Sequence, residues 1–290
     1  MTVTVIEMIE RQSARLNQAG VSFGHGTSNA FDEAVWLTLW RLGLPLDDLD
    51  GVAGRVLSAA ERKSIKALVD QRIATRQPAA YLTRQAWLQG VAFYVDERSI
   101  VPRSLIAEVM ADSTLDAWLS PETRQVLDLC TGNGSLAVLA ALAWLDVQVD
   151  GADLSADALA VARINIDQHG LADRIALHEG NGLAAVTGRQ YDLILCNPPY
   201  VNSASMAALP AEFRAEPALA LAGGADGMDF VRTLLASAGA HMTRDAVLVL
   251  EIGHERAHFE AAFPALDAAW LPTSAGDDQV LLLTREALVA

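Results

Sequence analysis

Apolar positions follow two rhythms along the chain, and the change between them divides it. Up to about residue 85 they recur at helical spacing, as in Val5-Ile6-Ile9 and Ala34-Val35-Leu37-Thr38-Trp40-Leu42. That spacing gives each helix one apolar stripe. Leu44-Pro45-Leu46-Asp47-Asp48 reads as a helix stop and turn. Ser58 caps a helix running to about Arg76, with Glu61 three residues on completing a capping box. From Gln125 the pattern changes to short apolar runs at 125–130, 147–152, 174–178, 191–196, 245–252 and 279–284, with Ala-rich helical segments between most of them. This alternation predicts an α/β fold: a parallel sheet with helices on both faces. Between the two regimes, Trp87-Leu88-Gln89-Gly90-Val91-Ala92-Phe93-Tyr94-Val95 is predicted to form a hairpin turning near Gly90. Val101-Pro102-Arg103-Ser104 then opens a helix from Ser104 to about Trp118. Ala275-Gly276-Asp277-Asp278 predicts a closing antiparallel hairpin at the sheet edge. The expected organisation is a helical domain over 1–85, a hairpin and linker helix over 86–119, and an α/β domain over 120–290.

Composition narrows the class. The 290 residues supply ample apolar material for one large domain and a smaller one. No charge-free apolar run of about eighteen residues predicts a membrane span. Met1 to Arg11 lack the features of a signal peptide. Cys130 and Cys196 each follow an apolar run and read as core thiols, which fits a reducing cytoplasm. The net charge of −15 is uneven: residues 1–100 carry 11 acidic and 11 basic side chains, residues 101–290 carry 25 and 10. An acidic α/β half disfavours naked nucleic acid and favours a basic protein substrate, although acidity also serves solubility. Arg62, Lys63, Lys66, Arg72 and Arg76 lie mostly on one broad face of the Ser58 helix. A solvated face is the plainer explanation, and contact with ribosomal RNA or an acidic partner the alternative.

Three motifs carry chemistry. In Val126-Leu127-Asp128-Leu129-Cys130-Thr131-Gly132-Asn133-Gly134-Ser135 a strand ends, a glycine turn follows and a helix begins. Such a loop lets backbone approach a ligand closely and presents helix N–H groups to it. Asp128 is placed to pair with the ammonium of a methionine moiety. Asp153 ends the second apolar run about twenty residues on, where a carboxylate accepts both ribose hydroxyls of a nucleoside. A helix cap is its plain alternative. The deciding motif is Asn197-Pro198-Pro199-Tyr200, which closes the run Tyr191–Cys196. The Asn197 side-chain oxygen and the Pro198 carbonyl can each accept an N–H bond from a planar NH₂ group. Together they orient its nitrogen towards a sulfonium methyl and stabilise the charge that grows on it. The prolines stiffen the carbonyl, and Tyr200 offers an aromatic face. Asn181, after the third run, is placed to bond an adenine amine, with a turn-forming Asn-Gly as the alternative. His254-Glu255-Arg256-Ala257-His258 matches a zinc-protease pattern. It follows a strand in the slot of a routine helix and has no evident third ligand, so no metal is expected.

With these residues the chain resembles the protein-glutamine methyltransferases. The Asp128–Gly134 loop, Asp153 and Asn197–Tyr200 carry the likeness over roughly residues 20–285, with Glu212–Leu221 and Gly224–Asp229. The segments Phe23–Ala34 and Ile100–Ser104 resemble the branch acting on ribosomal protein L-three more than the release-factor branch. The resemblance implies a small helical domain before a seven-stranded, mostly parallel, Rossmann-like methyltransferase sheet. It implies S-adenosyl-L-methionine as cofactor, bound by Asp128, Cys130, Thr131, Gly132, Asn133, Gly134, Asp153, Asn181 and Asn197. Asn197, Pro198, Pro199 and Tyr200 would hold the substrate glutamine, with Asn197, Pro198 and Tyr200 serving catalysis and Arg103 near the site mouth. The implied reaction is methylation of a glutamine amide on ribosomal protein L-three or an assembly intermediate. The rivals are a release-factor glutamine, an exocyclic amine of DNA or RNA, and a non-enzymatic assembly factor. Asn181-Gly182 departs from the family's acidic and bulky apolar pair, which would loosen the adenine pocket.

Overall fold

The computed structural model describes residues 2–289, which fall into two compact units. One unit joins Met1–Ala86 with Leu209–Glu216, and the other joins Trp87–Ala208 with Pro217–Ala290. The helical unit contains α1 (Val5–Gln18), α2 (Ala30–Leu42), α3 (Leu49–Val52), α4 (Ala59–Thr75) and α5 (Ala79–Thr83). Its core comes from the apolar stripes of three helices: Ile9 and Leu16, Leu37 and Leu39, Ile65 and Val69, all fully buried. α4 begins with the expected capping box, in which the Ser58 hydroxyl accepts from Glu61 N–H and the Glu61 carboxylate accepts from Ser58 N–H. Thr4 and Glu7 build a second box at the start of α1. Each box satisfies helix-start N–H groups that have no partner within the helix.

The basic face of α4 is solvated at Lys63 and Lys66, as expected, but not at Arg72. Arg72 is fully buried. Its guanidinium donates to Glu33 on α2 at 2.9 Å, to the Ser22 carbonyl at 2.9 Å and to Glu212 at 3.4 Å. Arg76 donates to Glu212 at 3.2 Å and to the carbonyls of Ala19 and Gly20. Lys66 pairs with Asp70 instead. Residue 72 continues the stripe of Ile65 and Val69 at helical spacing, so its position pointed inward although its charge pointed out. Leu209–Glu216 supplies the rest of this interior. Phe213 lies against His25 with ring centroids 4.2 Å apart, and Glu216 stands 3.4 Å from His25 Nε2. A Cβ on Gly24 would come within 3.0 Å of the Phe213 ring, and φ there is +126°. Thus Phe23–Ala34 and the start of Glu212–Leu221, both segments of the family resemblance, pack against each other.

The second unit opens with the predicted hairpin, β1 (Ala86–Leu88) and β2 (Val91–Phe93), turning through Gln89 and Gly90 at positive φ. There follow α6 (Ile106–Ala111), β3 (Gln125–Leu129), α7 (Ser135–Ala143), β4 (Gln148–Asp153), α8 (Ala156–Gln168), β5 (Ile175–Glu179) and β6 (Tyr191–Cys196). The chain ends through α9 (Ser203–Ala208), α10 (Asp229–Ala238), β7 (Met242–Glu251), α11 (Arg256–Ala262), β8 (Ala269–Thr273), β9 (Gly276–Thr284) and α12 (Arg285–Val289). The sheet has seven strands in the order β5-β4-β3-β6-β7-β9-β8. β3 to β7 run parallel and β9 runs antiparallel to both neighbours. Val126, Leu193, Leu195, Val247 and Val249 pack on one face with α7, while Leu127, Ile194, Leu248 and Leu250 pack on the other with α10. Burial on both faces is why these strands read as unbroken apolar runs.

Two expectations need correction. The helix from Ser104 spans only Ile106–Ala111, because Ser113 adopts a left-handed φ of +65° and a 3₁₀ turn, Thr114–Ala117, follows. β8 escaped the reading because Pro272 interrupts its apolar pattern, as an edge strand allows. The closing hairpin therefore joins β8 to β9 and turns at Ser274-Ala275, with β8 on the edge. The strand order reverses between β3 and β6, the topological position at which open α/β sheets hold ligands beyond their C-terminal strand ends. Among the described residues no helix is long and apolar enough to cross a membrane.

Candidate active site

The loop leaving β3 is bent tightly, with positive φ at Cys130 (+61°), Gly132 (+56°) and Gly134 (+78°). Gly134 is required for proximity as well, since a Cβ there would stand 3.0 Å from Ala162 Cβ on α8. Asp128 is buried at the loop's base. Its Oδ2 accepts from the Thr131 hydroxyl at 2.5 Å and from Ala137 N–H at 2.9 Å. Burial pushes its pKa up to about 7 against these donors. Asp153 ends β4, with Oδ2 accepting from Gly132 N–H (2.9 Å) and Oδ1 from Ser155 N–H (2.8 Å). Burial raises its pKa too. Ser155 is the cap of α8, so Asp153 is not. The Asn133 side chain is committed to protein, donating to the Ile100 carbonyl and accepting from Ser135 N–H.

Two clefts open at this end of the sheet. The larger, about 840 Å³, is lined among others by Cys130, Gly132, Asp153, Asn181, Asn197 and Pro199. The smaller, about 330 Å³, takes in Arg103, Asp128, Thr131, Asn133 and again Asn197. Asn197 thus stands on the wall they share. Gly134, Pro198 and Tyr200 line neither. Phe230 of α10 lines the larger cleft and stands beside Gly182, 3.7 Å from where a Cβ would be. An aromatic ring from another element therefore occupies the space expected to be loose.

Tyr200 faces the sheet. Its hydroxyl donates to Glu251 at 3.2 Å. A Cβ on Gly253 would fall 2.5 Å from its ring, so the ring fits only against a glycine. The loop base closes through a parallel bridge between Val201 and Ala222. Glu251, at the end of β7, also accepts from the Ser104 hydroxyl at 2.6 Å and from Leu105 N–H at 2.9 Å. Burial raises its pKa. Sequence reasoning missed Glu251 and Gly253, although a carboxylate at the end of an apolar run is what singled out Asp128 and Asp153.

The two thiols, Cys130 and Cys196, are free. A hydrogen bond with Cys196, together with burial, holds the Cys130 thiol well above its ordinary range, so it is a poor nucleophile. In the zinc-like motif His254 precedes α11, so the two histidines do not share a helix. Glu255 is engaged by Asn202 Nδ2 at 2.6 Å and by His258 Nδ1 at 2.5 Å. Among the described residues, no group of three His, Cys, Asp or Glu side chains could hold a metal ion.

Residues 107–225 match the model of the methyltransferase small domain. The chain is 54% identical over 287 residues to the ribosomal protein uL3 glutamine methyltransferase of Bordetella pertussis, covering 98% of this chain and 96% of that one. It is 51% identical over 295 residues to the protein of the same name from Burkholderia pseudomallei, covering 99% and 96%. The catalytic domain of hMettl16, solved in complex with the MAT2A 3′UTR hairpin 1, shares the fold at a TM-score of 0.52 and 13% identity, covering 80% of this chain and 83% of that one.

Proposed function

The chain belongs to the ribosomal protein uL3 glutamine methyltransferases, and we propose from its site that it methylates a glutamine side-chain amide of uL3 with S-adenosyl-L-methionine. The carrying observation is the place of Asn197, at the end of β6 and on the shared wall of the two clefts. A methyl donor on one side and an amide on the other would meet there.

The residues present fit the cofactor. Asp153 keeps lone pairs for ribose hydroxyls beyond the N–H bonds it accepts from Gly132, Leu154 and Ser155. Phe230 and Leu154 give the larger cleft apolar walls for a flat base. Both bonds to Asp128 go to Oδ2, which leaves Oδ1 for a ligand ammonium. When bound, the cofactor supplies an electrophilic methyl group on a sulfonium.

The chain's own residues supply orientation. An amide nitrogen is a weak nucleophile because its lone pair is delocalised into the carbonyl. The Asn197 side-chain oxygen and the Pro198 carbonyl accept its two N–H bonds and aim the nitrogen. As positive charge grows on nitrogen both bonds strengthen, which favours the transition state over the bound substrate. The methylated nitrogen is acidic and sheds its proton afterwards, so no strong base is needed first. Tyr200 contributes by anchoring the end of the motif, its hydroxyl donating to Glu251 and its ring lying against Gly253. The basic substrate suits the acidic half of the chain.

Labelled cofactor and purified uL3 test this reading. Asn197→Ala is expected to lower transfer by about 10²–10³-fold, the scale for losing one oriented transition-state contact, with cofactor affinity largely kept. Unchanged transfer in the variant, or label on ribosomal RNA alone, would overturn it.

A further inference from the structure

We infer that Glu251 is a positioning residue that sets the substrate side of the site by holding two loops at once. Nothing in the proposed reaction uses this carboxylate, yet it is 3% exposed at the end of β7 and accepts hydrogen bonds from Ser104, Leu105 and Tyr200. Oε1 accepts from the Tyr200 hydroxyl, the last residue of Asn197-Pro198-Pro199-Tyr200. Oε2 accepts from the Ser104 hydroxyl and Leu105 N–H, next to Pro102 and Arg103. Arg103 and Asn197 both line the smaller cleft. One side chain therefore fixes the loop bearing the amide acceptors and the loop bearing the nearby cation.

Two features make the hold specific. The Tyr200 ring is confined by the missing side chain of Gly253, and Gly223 and Gly227 leave room for its backbone: a Cβ on either would come within 2.7 Å and 2.3 Å of Tyr200 main-chain atoms. With the ring confined and the hydroxyl bonded, the direction of the Pro198 carbonyl two residues earlier is inherited from the sheet. An acceptor displaced by about 1 Å is enough to cost a large factor in rate. No step of this role transfers a proton or forms a bond to substrate.

The inference rests on the proposed methyl transfer to a glutamine amide, so its test includes a readout that needs no turnover. Glu251→Ala, Glu251→Gln and Tyr200→Phe are compared with the unaltered protein for kcat and KM on uL3 and for S-adenosylhomocysteine affinity by calorimetry. In parallel, 3-fluorotyrosine labels the four tyrosines, the Tyr200 signal being the one lost in Tyr200→Phe. Glu251→Ala is expected to lower kcat by about 10–100-fold with cofactor affinity within twofold, and to shift and broaden the Tyr200 signal. Glu251→Gln, which can still accept from Ser104 and meet the Tyr200 hydroxyl with its amide, should recover most of kcat and the sharp signal. Tyr200→Phe combined with Glu251→Ala should be no worse than Glu251→Ala alone. The inference is overturned if Glu251→Ala leaves kcat within twofold, if the two losses multiply, or if the Tyr200 signal is unmoved. An unaltered protein that methylates no glutamine in uL3 while Tyr200 responds as expected would instead overturn the proposed function and leave the hold on the loops standing.

Discussion

Glu212 and Glu251 are buried carboxylates, one in each unit, and they are held by opposite means. Burial pushes both upward in pKa. At Glu212 backbone N–H groups and the guanidinium of Arg76 outweigh burial, and its pKa ends below the ordinary value. At Glu251 burial outweighs the neutral donors that face it, Ser104, Leu105, Tyr200 and Ile106 N–H, and its pKa ends above it. Asp128 and Asp153 behave as Glu251 does. Elsewhere in the catalytic unit, Asp150 meets His178, Tyr191 and Arg189 and ends low. Glu33 is the exception in the helical unit, since burial outweighs its bond to Arg72. Among the described residues of the catalytic unit, the carboxylates raised in this way, Asp128, Asp153 and Glu251, stand at or near the C-terminal ends of β3, β4 and β7. Such groups are costly to ionise and gain most from an arriving positive charge, which is the condition of a ligand site.

Substitutions in each unit can break this comparison. The largest effect is expected from Arg72→Met, which leaves Glu33 and Glu212 buried without their common partner. Loss of one member of such a cluster costs about 3–5 kcal/mol, read by urea denaturation. A cost under about 1 kcal/mol would mean that the carboxylates do not depend on it.

Asp128→Asn probes the opposite case. A carboxyl whose pKa is raised from 3.8 to about 7 stabilises the fold fully below pH 3.8, and that contribution is lost as pH rises through 7. Relative to the Asn variant, the unaltered protein should therefore lose about 4 kcal/mol between those limits. The same group predicts cofactor behaviour. Affinity for S-adenosylhomocysteine should fall as pH drops below about 7, and Asp128→Asn should weaken it by about 10–100-fold with little remaining pH dependence. A variant that binds as the unaltered protein does across pH 6–8 would remove Asp128 from the ammonium role. The smallest effect belongs to a surface cap. Ser58→Ala should cost about 1 kcal/mol, confined to the helical unit, and leave cofactor affinity unchanged.

Much of the fold was legible because burial on both sheet faces writes itself as apolar runs, and because Ser58 and Glu61 announce a helix start in two residues. Asp153 and Asn197 were legible for a related reason: both stand where such a run stops, at the end of a strand. Three features were hidden for physical reasons. Pro272 broke the pattern of an edge strand that tolerates it. Arg72 carried a charge into an apolar stripe, and its partners Glu33 and Glu212 lie far away in sequence. Phe230 and Gly182 fill one space from separate elements, a complementarity visible only once both are folded. Glu251 was within reach, and was missed because a carboxylate next to Ile252-Gly253 has no chemistry of its own until Tyr200 and Ser104 are seen upon it.

The assignment of Leu209–Glu216 to the helical unit bears on how the protein can be taken apart. A fragment ending at Ala86 would lack Glu212, Phe213 and Glu216, so Arg72, Arg76 and His25 would each lose a partner. No single cut releases this unit intact. Grafting it onto another α/β domain would mean carrying a second, internal piece of chain along with it.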